Sequence, residues 1–200
     1  MTMPKIVTIV EGHGEVEAVP ILLRRIVEAV APDANLEVTP PIRVDRYKVV
    51  KPTELERAIE LAARIANGDG YILVLLDADD DCPAELGPGL LRRASGTRPD
   101  RAIRVALAKR EYEAWFVAAV TSIVGQASIR EDALPPEDAE GIRDAKGWLT
   151  RQMPEAHSYR PTRHQALLTR SFDLDAARRG APSFDKLWRD LSTLLVQGEV

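Results

Sequence analysis

Two hundred residues, 45% hydrophobic and 29% charged, can bury one sizeable core with a small appendage, which excludes a disordered chain. A net charge of −4 excludes coating nucleic acid through bulk charge, although a local basic surface remains open. The single cysteine, Cys82, excludes an internal disulfide and zinc sites built on paired thiolates, and reads as a filler at a helix start. No apolar stretch approaches the roughly 20 residues that span a bilayer. Met1 to Lys5 runs into a strand-like segment too soon for a signal peptide, so the expectation is a cytoplasmic protein with no membrane association.

In chain order, Ile6 to Val10 is a β-branched apolar run that stops at Glu11-Gly12-His13-Gly14-Glu15, whose glycines permit a tight turn. Val16, Val19, Ile21, Leu22, Ile26, Val27 and Val30 then recur at helical spacing, with Pro20 tolerable only near the first turn. A short strand around Leu36 to Val38 and an edge segment within Ile42 to Lys51 precede an amphipathic helix. That helix opens at Pro52-Thr53-Glu54, carries Leu55, Ala58, Ile59, Ala62 and Ile65, and stops at Asn67-Gly68.

Tyr71 to Leu76 has no polar alternation and reads as a strand buried on both faces; it ends in Asp77-Ala78-Asp79-Asp80-Asp81. If the strand persists past Leu76, Asp77 and Asp79 point the same way, and two clustered carboxylates repel unless a cation or proton intervenes. A helix over Pro83 to Ala94 follows, weakened by Gly87-Pro88-Gly89, which can either leave it whole or divide it into two pieces. Ile103, Val105 and Leu107 mark a further strand, which runs into Lys109-Arg110-Glu111-Tyr112-Glu113-Ala114-Trp115-Phe116. Glu111 and Glu113 are placed in the first turn of a helix reaching Ile123, where acids also suit the helix dipole. From Gly125 the pattern is all helical: Ala139 to Met153, Gln165 to Leu168, Asp173 to Arg179 capped by Asp173, and a last helix opened by Ser183-Phe184-Asp185.

Strands alternating with helices imply a mostly parallel sheet flanked by helices, with its carboxyl ends on one edge. Three strands that each end in acids can therefore bring Glu11, Asp77 with Asp79, and Glu111 or Glu113 together. Oxygen ligands of this kind suit Mg2+ or Mn2+. Two arginine-rich stretches, Arg92 to Arg110 and Arg151 to Arg179, read as solvated faces that become phosphate contacts only if the acids hold metal. His13 and His164 read as hydrogen-bonding loop histidines.

These three segments, together with Tyr159, His164 and Ser183-Phe184-Asp185-Lys186-Leu187-Trp188, resemble the bacterial DUF4276 family, a TOPRIM-like group related to the TOPRIM domains of OLD-like nucleases. The resemblance covers nearly the whole chain. It implies a Rossmann-like TOPRIM-type domain over residues 1–124 and a helical extension over 125–200 packed on it as one compact unit. It also implies magnesium-dependent phosphoryl transfer on nucleic acid, DNA foremost. Carried over by motif, Glu11 is a metal ligand or general acid/base and Asp77 with Asp79 are metal ligands. Glu113, with Glu15, Asp81 and Glu111, completes or supports a second metal, and Lys109 or Arg110 neutralises charge on the phosphate. A recognisable cleavage tyrosine and a primase zinc module are lacking, so those chemistries gain no support. No Walker motif is present, so any ATP coupling needs a separate ATPase partner, as in a bacterial defence system.

Three functions follow as expectations. The first is a small magnesium-dependent nuclease. The alternatives are a non-catalytic TOPRIM-like module that binds a partner ATPase and a small-nucleotide phosphohydrolase.

Overall fold

The computed structural model describes residues 3–197, so Met1 and Thr2 of the amino-terminal segment lie outside it. In chain order the elements are β1 (Lys5–Val10), α1 (His13–Val30), β2 (Glu37–Val38), β3 (Ile42–Arg43), α2 (Arg46–Val49), α3 (Glu54–Ala66) and β4 (Tyr71–Asp77). They continue with α4 (Pro83–Thr97), β5 (Ala102–Ala108), α5 (Ala114–Ala118), α6 (Ala145–Arg151), α7 (Pro161–Thr169), α8 (Leu174–Gly180) and α9 (Pro182–Gln197). The sheet runs β2-β1-β4-β5, β3 also pairs with β1, and all these pairings are parallel. This is a mixed α/β, Rossmann-like architecture with a tail of helices.

Side-chain alternation along the strands decides what each face carries. Ile6 and Val10 of β1, Leu73 and Leu75 of β4, and Ala106 and Ala108 of β5 join the core beneath α1 and the carboxyl-terminal helices. Val7, Ile9, Ile72, Val74, Leu76, Val105 and Leu107 join the opposite core, beneath α3 and α4. Both faces of β4 are therefore covered, which is why its sequence shows no polar alternation. Asp77 continues the parity of Leu73 and Leu75 and is the one acid buried within a strand of the sheet.

An aromatic cluster fastens the helical tail to the sheet. Tyr112, Trp115 and Phe116 meet Phe172 and Phe184, with ring centroids 4.6–5.7 Å apart and tilted or edge-on geometry that suits aromatic quadrupoles. At the start of α1, Gly14 is pressed against α7, where a Cβ would meet the Pro161 backbone at 2.9 Å. The tail thus shares one hydrophobic core with the sheet.

Several expected elements differ. Pro20 lies well inside α1, buried, rather than near its first turn; burial of Val19, Leu22, Leu23 and Ile26 around it offsets the lost amide donor. Gly87-Pro88-Gly89 does not divide α4, which stays continuous because Leu90 and Ala94 are anchored in the core. The helix placed over Ala139 to Met153 is a single 3-10 turn at Ala139–Gly141 and a separate α6, whose cap Asp144 accepts from the Gly147 amide at 2.8 Å. Helix α5 is shorter than expected, and Glu111 and Glu113 precede it rather than lying inside it.

Candidate metal centre

Glu11 follows β1 directly, and Glu15 sits in the first turn of α1, where its side chain folds back toward the strand. Glu15 Oε2 accepts from the Glu11 and Gly12 amides at 3.0 and 3.1 Å, so it closes the helix start where amide donors have no partner in the helix itself. Asp77, at the end of β4, accepts from the Tyr112 amide through Oδ1 at 2.7 Å, which ties it to the chain leaving β5. As a result, Glu11, Glu15 and Asp77 each offer an oxygen within 4.8 Å of the others. An all-oxygen set of this kind could hold a metal ion. Glu11 Oε2 is buried with no hydrogen-bond partner among the described residues, so it can accept a ligand without breaking a bond. The donors fit a hard divalent cation.

A second group of side chains adjoins these three. Glu113 is fully buried, and its Oε1 accepts from the Tyr159 hydroxyl at 2.9 Å. Lys146, from α6, places Nζ 2.7 Å from Glu111 Oε1, 3.4 Å from Glu113 Oε2 and 4.0 Å from Asp77 Oδ2. Its backbone amide also donates to Glu111 Oε2 at 3.1 Å.

The cost of gathering these acids shows in their protonation. Burial, reinforced by Glu15 and Asp79 and opposed by Arg46 and Lys146, pushes the Glu11 carboxyl from its ordinary 4.5 up to about 8. Burial also raises Glu15, against the pull of the Gly12 and Glu11 amides. Asp77 is raised well above the usual range by burial and by Glu15, Glu113 and Glu11. Glu113 is raised by burial despite Lys146 and Tyr159. Burial alone would lower Lys146, but Glu113, Asp77 and Glu111 outweigh it and hold the ammonium charged.

The remaining acids of the expected site do not join this cluster. Strand β4 ends at Asp77, and Asp79 adopts φ +50° with its side chain 64% exposed, so the two do not share a direction. The turn is held by the Asp79 amide donating to the Arg110 carbonyl at 3.0 Å. Asp79 and Asp81 instead meet Arg46, at 3.8 and 2.7 Å; Arg46 Nε also lies 3.9 Å from Glu11. Asp80 is bridged by Arg110 and Arg143, and these three line a small cavity of about 250 Å³ with Asp79 and Glu111. Lys109 lines a different groove, between α4 and α9, with its amide donating to Ser183 Oγ at 3.2 Å. Of the first arginine stretch, Arg93 and Arg98 are spent on Glu56, Glu60 and Asp100 along the α3 side.

Sequence reasoning passed over Arg46 and Lys146. For Lys146 one signal was available: a lysine just after the cap Asp144 stands at a helix amino terminus, where the dipole disfavours a cation, so it needs acidic company. For Arg46 there was none, because α2 is a single turn that periodicity cannot register.

The fold and this cluster define a Rossmann-like α/β protein with a buried carboxylate centre at the carboxyl edge of its parallel sheet. A family model described as a domain of unknown function, DUF4276, matches residues 10–192, and the chain belongs to that family. No curated protein and no solved structure matches the chain. Among the described residues, no helix is long and apolar enough to cross a membrane.

Proposed function

We propose that this chain is a magnesium-dependent phosphoryl-transfer enzyme acting on nucleic acid, a nuclease with DNA as its first candidate substrate. The observation that carries the reading is the meeting of Glu11, Glu15 and Asp77 within 4.8 Å at the strand ends, where open parallel sheets bind their ligands. Carboxylate oxygens without nitrogen or sulfur ligands favour magnesium or manganese over zinc. The TOPRIM-like resemblance of the Glu11 and Asp77-x-Asp79 segments points the same way.

When bound, magnesium supplies Lewis-acid polarisation of a phosphodiester and neutralises charge as it develops. The chain's own residues supply the rest. Glu15 and Asp77 are fixed by backbone amides, so their oxygens are held in place before any ligand arrives. Glu11 Oε2 has no hydrogen-bond partner among the described residues and takes one of two roles, a ligand to the ion or, instead, the group that takes and returns a proton. Beside these acids Arg46 is held in ion pairs with Asp79 and Asp81, and Arg110 and Arg143 with Asp80; of these, the exposed Arg143 is the guanidinium open to a phosphate backbone. Coupling to a separate ATPase partner, within a bacterial defence system, belongs to this proposal through the resemblance alone.

The test is an assay of the purified chain on circular and linear DNA with millimolar magnesium or manganese, beside Asp77→Asn. Cleavage by the wild type, abolished by chelator and by the substitution, is the expected result. Metal binding without cleavage of any DNA or RNA, alone or with ATPase-containing extract, overturns the nuclease reading.

A further inference from the structure

Lys146 has a position that the metal reading does not use. Two halves meet at Asp77: on one side it joins Glu11 and Glu15, and on the other its Oδ2 lies 4.0 Å from the Lys146 ammonium. That ammonium is 2.7 Å from Glu111 and 3.4 Å from Glu113. Glu113 is completely buried, and its Oε2 has no hydrogen bond among the described residues and is directed at Lys146. A carboxylate shared between two cationic positions, with two further carboxylates around the second, is the layout that binds a pair of ions about 3.5–4 Å apart. Here the second position is taken by a covalently attached charge.

We propose that Lys146 serves as the second cation of this centre. The chain then takes one divalent ion, at Glu11, Glu15 and Asp77, while Glu111 and Glu113 hold the ammonium beside it. This rests on the metal reading above and departs from the expectation that Glu111 and Glu113 complete a second metal. Three features support it. Lys146 comes from α6, in the helical tail, and Glu111 holds both its backbone amide, at 3.1 Å, and its ammonium, at 2.7 Å, so it is not a freely swinging surface lysine. Five carboxylates, Glu11, Glu15, Asp77, Glu111 and Glu113, cannot all ionise around one divalent ion without a further positive charge. Finally, an ammonium donates hydrogen bonds, whereas an ion coordinates, so a substrate phosphate would meet one ion and one donor rather than two ions. Lys146 is thereby a positioning residue for the ion and a contact for phosphate.

The experiment is titration of manganese into the full chain, read by calorimetric stoichiometry and by the electron spin resonance of the bound ion. Wild type, Lys146→Ala and Lys146→Arg are compared. The expected result is one ion per chain in wild type and in Lys146→Arg. In Lys146→Ala the stoichiometry rises to two, and the spectrum of an isolated ion gives way to that of an exchange-coupled pair. Two ions in the wild type, or one ion in a folded Lys146→Ala, overturns the proposal and leaves the metal reading standing. No ion in the wild type at millimolar manganese overturns both. Should Lys146→Ala fail to fold, the wild type still decides: with lysine labelled at Cε, one equivalent of manganese broadens the Lys146 resonance beyond detection. A sharp Lys146 signal in the singly loaded protein overturns the proposal.

Discussion

The Tyr159 hydroxyl donates to Glu113 Oε1 at 2.9 Å, and both groups are buried, so a residue of the helical tail supplies the one side-chain hydrogen bond, among the described residues, on an acid that follows the last strand. Removing it leaves Glu113 with neither side-chain oxygen hydrogen-bonded. Tyr159→Phe is expected to lower the unfolding free energy by about 2 kcal/mol, the cost of an unsatisfied buried polar group, as measured by urea denaturation. An unchanged midpoint would mean that this bond contributes nothing to the folded state.

Asp77 and Asp79, two residues apart, are expected to respond oppositely to neutralisation. Asp77→Asn keeps an acceptor for the Tyr112 amide but removes a charge from the carboxylate trio. Manganese affinity should fall by more than the roughly 10–100-fold typical of outer-sphere changes. Asp79→Asn removes an exposed charge that pairs with Arg46 and acts on Glu11 only at a distance, and should shift the affinity by less than about 1 kcal/mol. Calorimetric titration of both variants is the check, and equal losses would place Asp79 among the ligands after all.

Without divalent ions the protein should lose stability as the solution becomes more alkaline. Glu11 has a folded-state value of about 8 against 4.5 when unfolded, so the folded state holds the proton more tightly. The associated stability is complete below about 4.5 and is lost as pH rises through 8. Glu15, Asp77 and Glu113 are shifted in the same direction. Thermal melting in chelator should therefore fall between pH 5 and pH 8.5, and Glu11→Gln should flatten part of that slope. Added magnesium or manganese should reverse it, since an ion binds the ionised form. A melting temperature that is flat with pH in chelator would refute the raised carboxyls.

Ser183 Oγ accepts from both the Trp115 indole, at 2.9 Å, and the Lys109 amide. Its own amide donates to Glu140. Ser183→Ala strands two donors at the junction of sheet and tail, and a destabilisation of about 2 kcal/mol is expected. Ser183→Thr retains the oxygen, so it separates loss of the acceptor from added bulk. The comparison is made by denaturant unfolding.

Gly14 supplies the last of the substitutions. A methyl group there would collide with the Pro161 backbone and the Gln165 side chain, so Gly14→Ala must push α1 and α7 apart. Overpacking of this kind costs about 1–3 kcal/mol. Because Glu15 is the next residue, manganese affinity should fall together with stability. Calorimetry on the folded fraction would show an unchanged affinity only if α1 moved without carrying Glu15 along.

The contribution of sequence to this picture follows the range of each interaction. Strands β1, β4 and β5 and helix α3 were legible because each is rich in apolar residues, with β4 unbroken from Tyr71 to Leu76 and α3 showing a clean helical stripe, and turn residues stand at their ends. That Glu11 and Asp77 lie at one sheet edge followed from parallel topology alone. Register and rotation beyond a strand end did not follow: the left-handed backbone at Asp79 turns its side chain outward, and neither neighbour is a glycine that would announce it. Pro20 misled, and Gly87-Pro88-Gly89 left the continuity of its helix open, because tertiary burial outweighs a local helix penalty. Lys146 and Arg46 reach the acids from segments that are distant or too short for periodicity, so only the folded chain identifies them.

The attachment of the tail sets an order of events during synthesis. Glu11, Glu15 and Asp77 leave the ribosome long before Lys146 and Tyr159, and the shared core beneath α1 draws on Leu168, Phe172 and Phe184. A nascent chain that has passed only its last strand therefore carries the acids without Lys146 and with the α1 face of its sheet only partly covered. Such a chain is a client for chaperones rather than an early-folding catalyst.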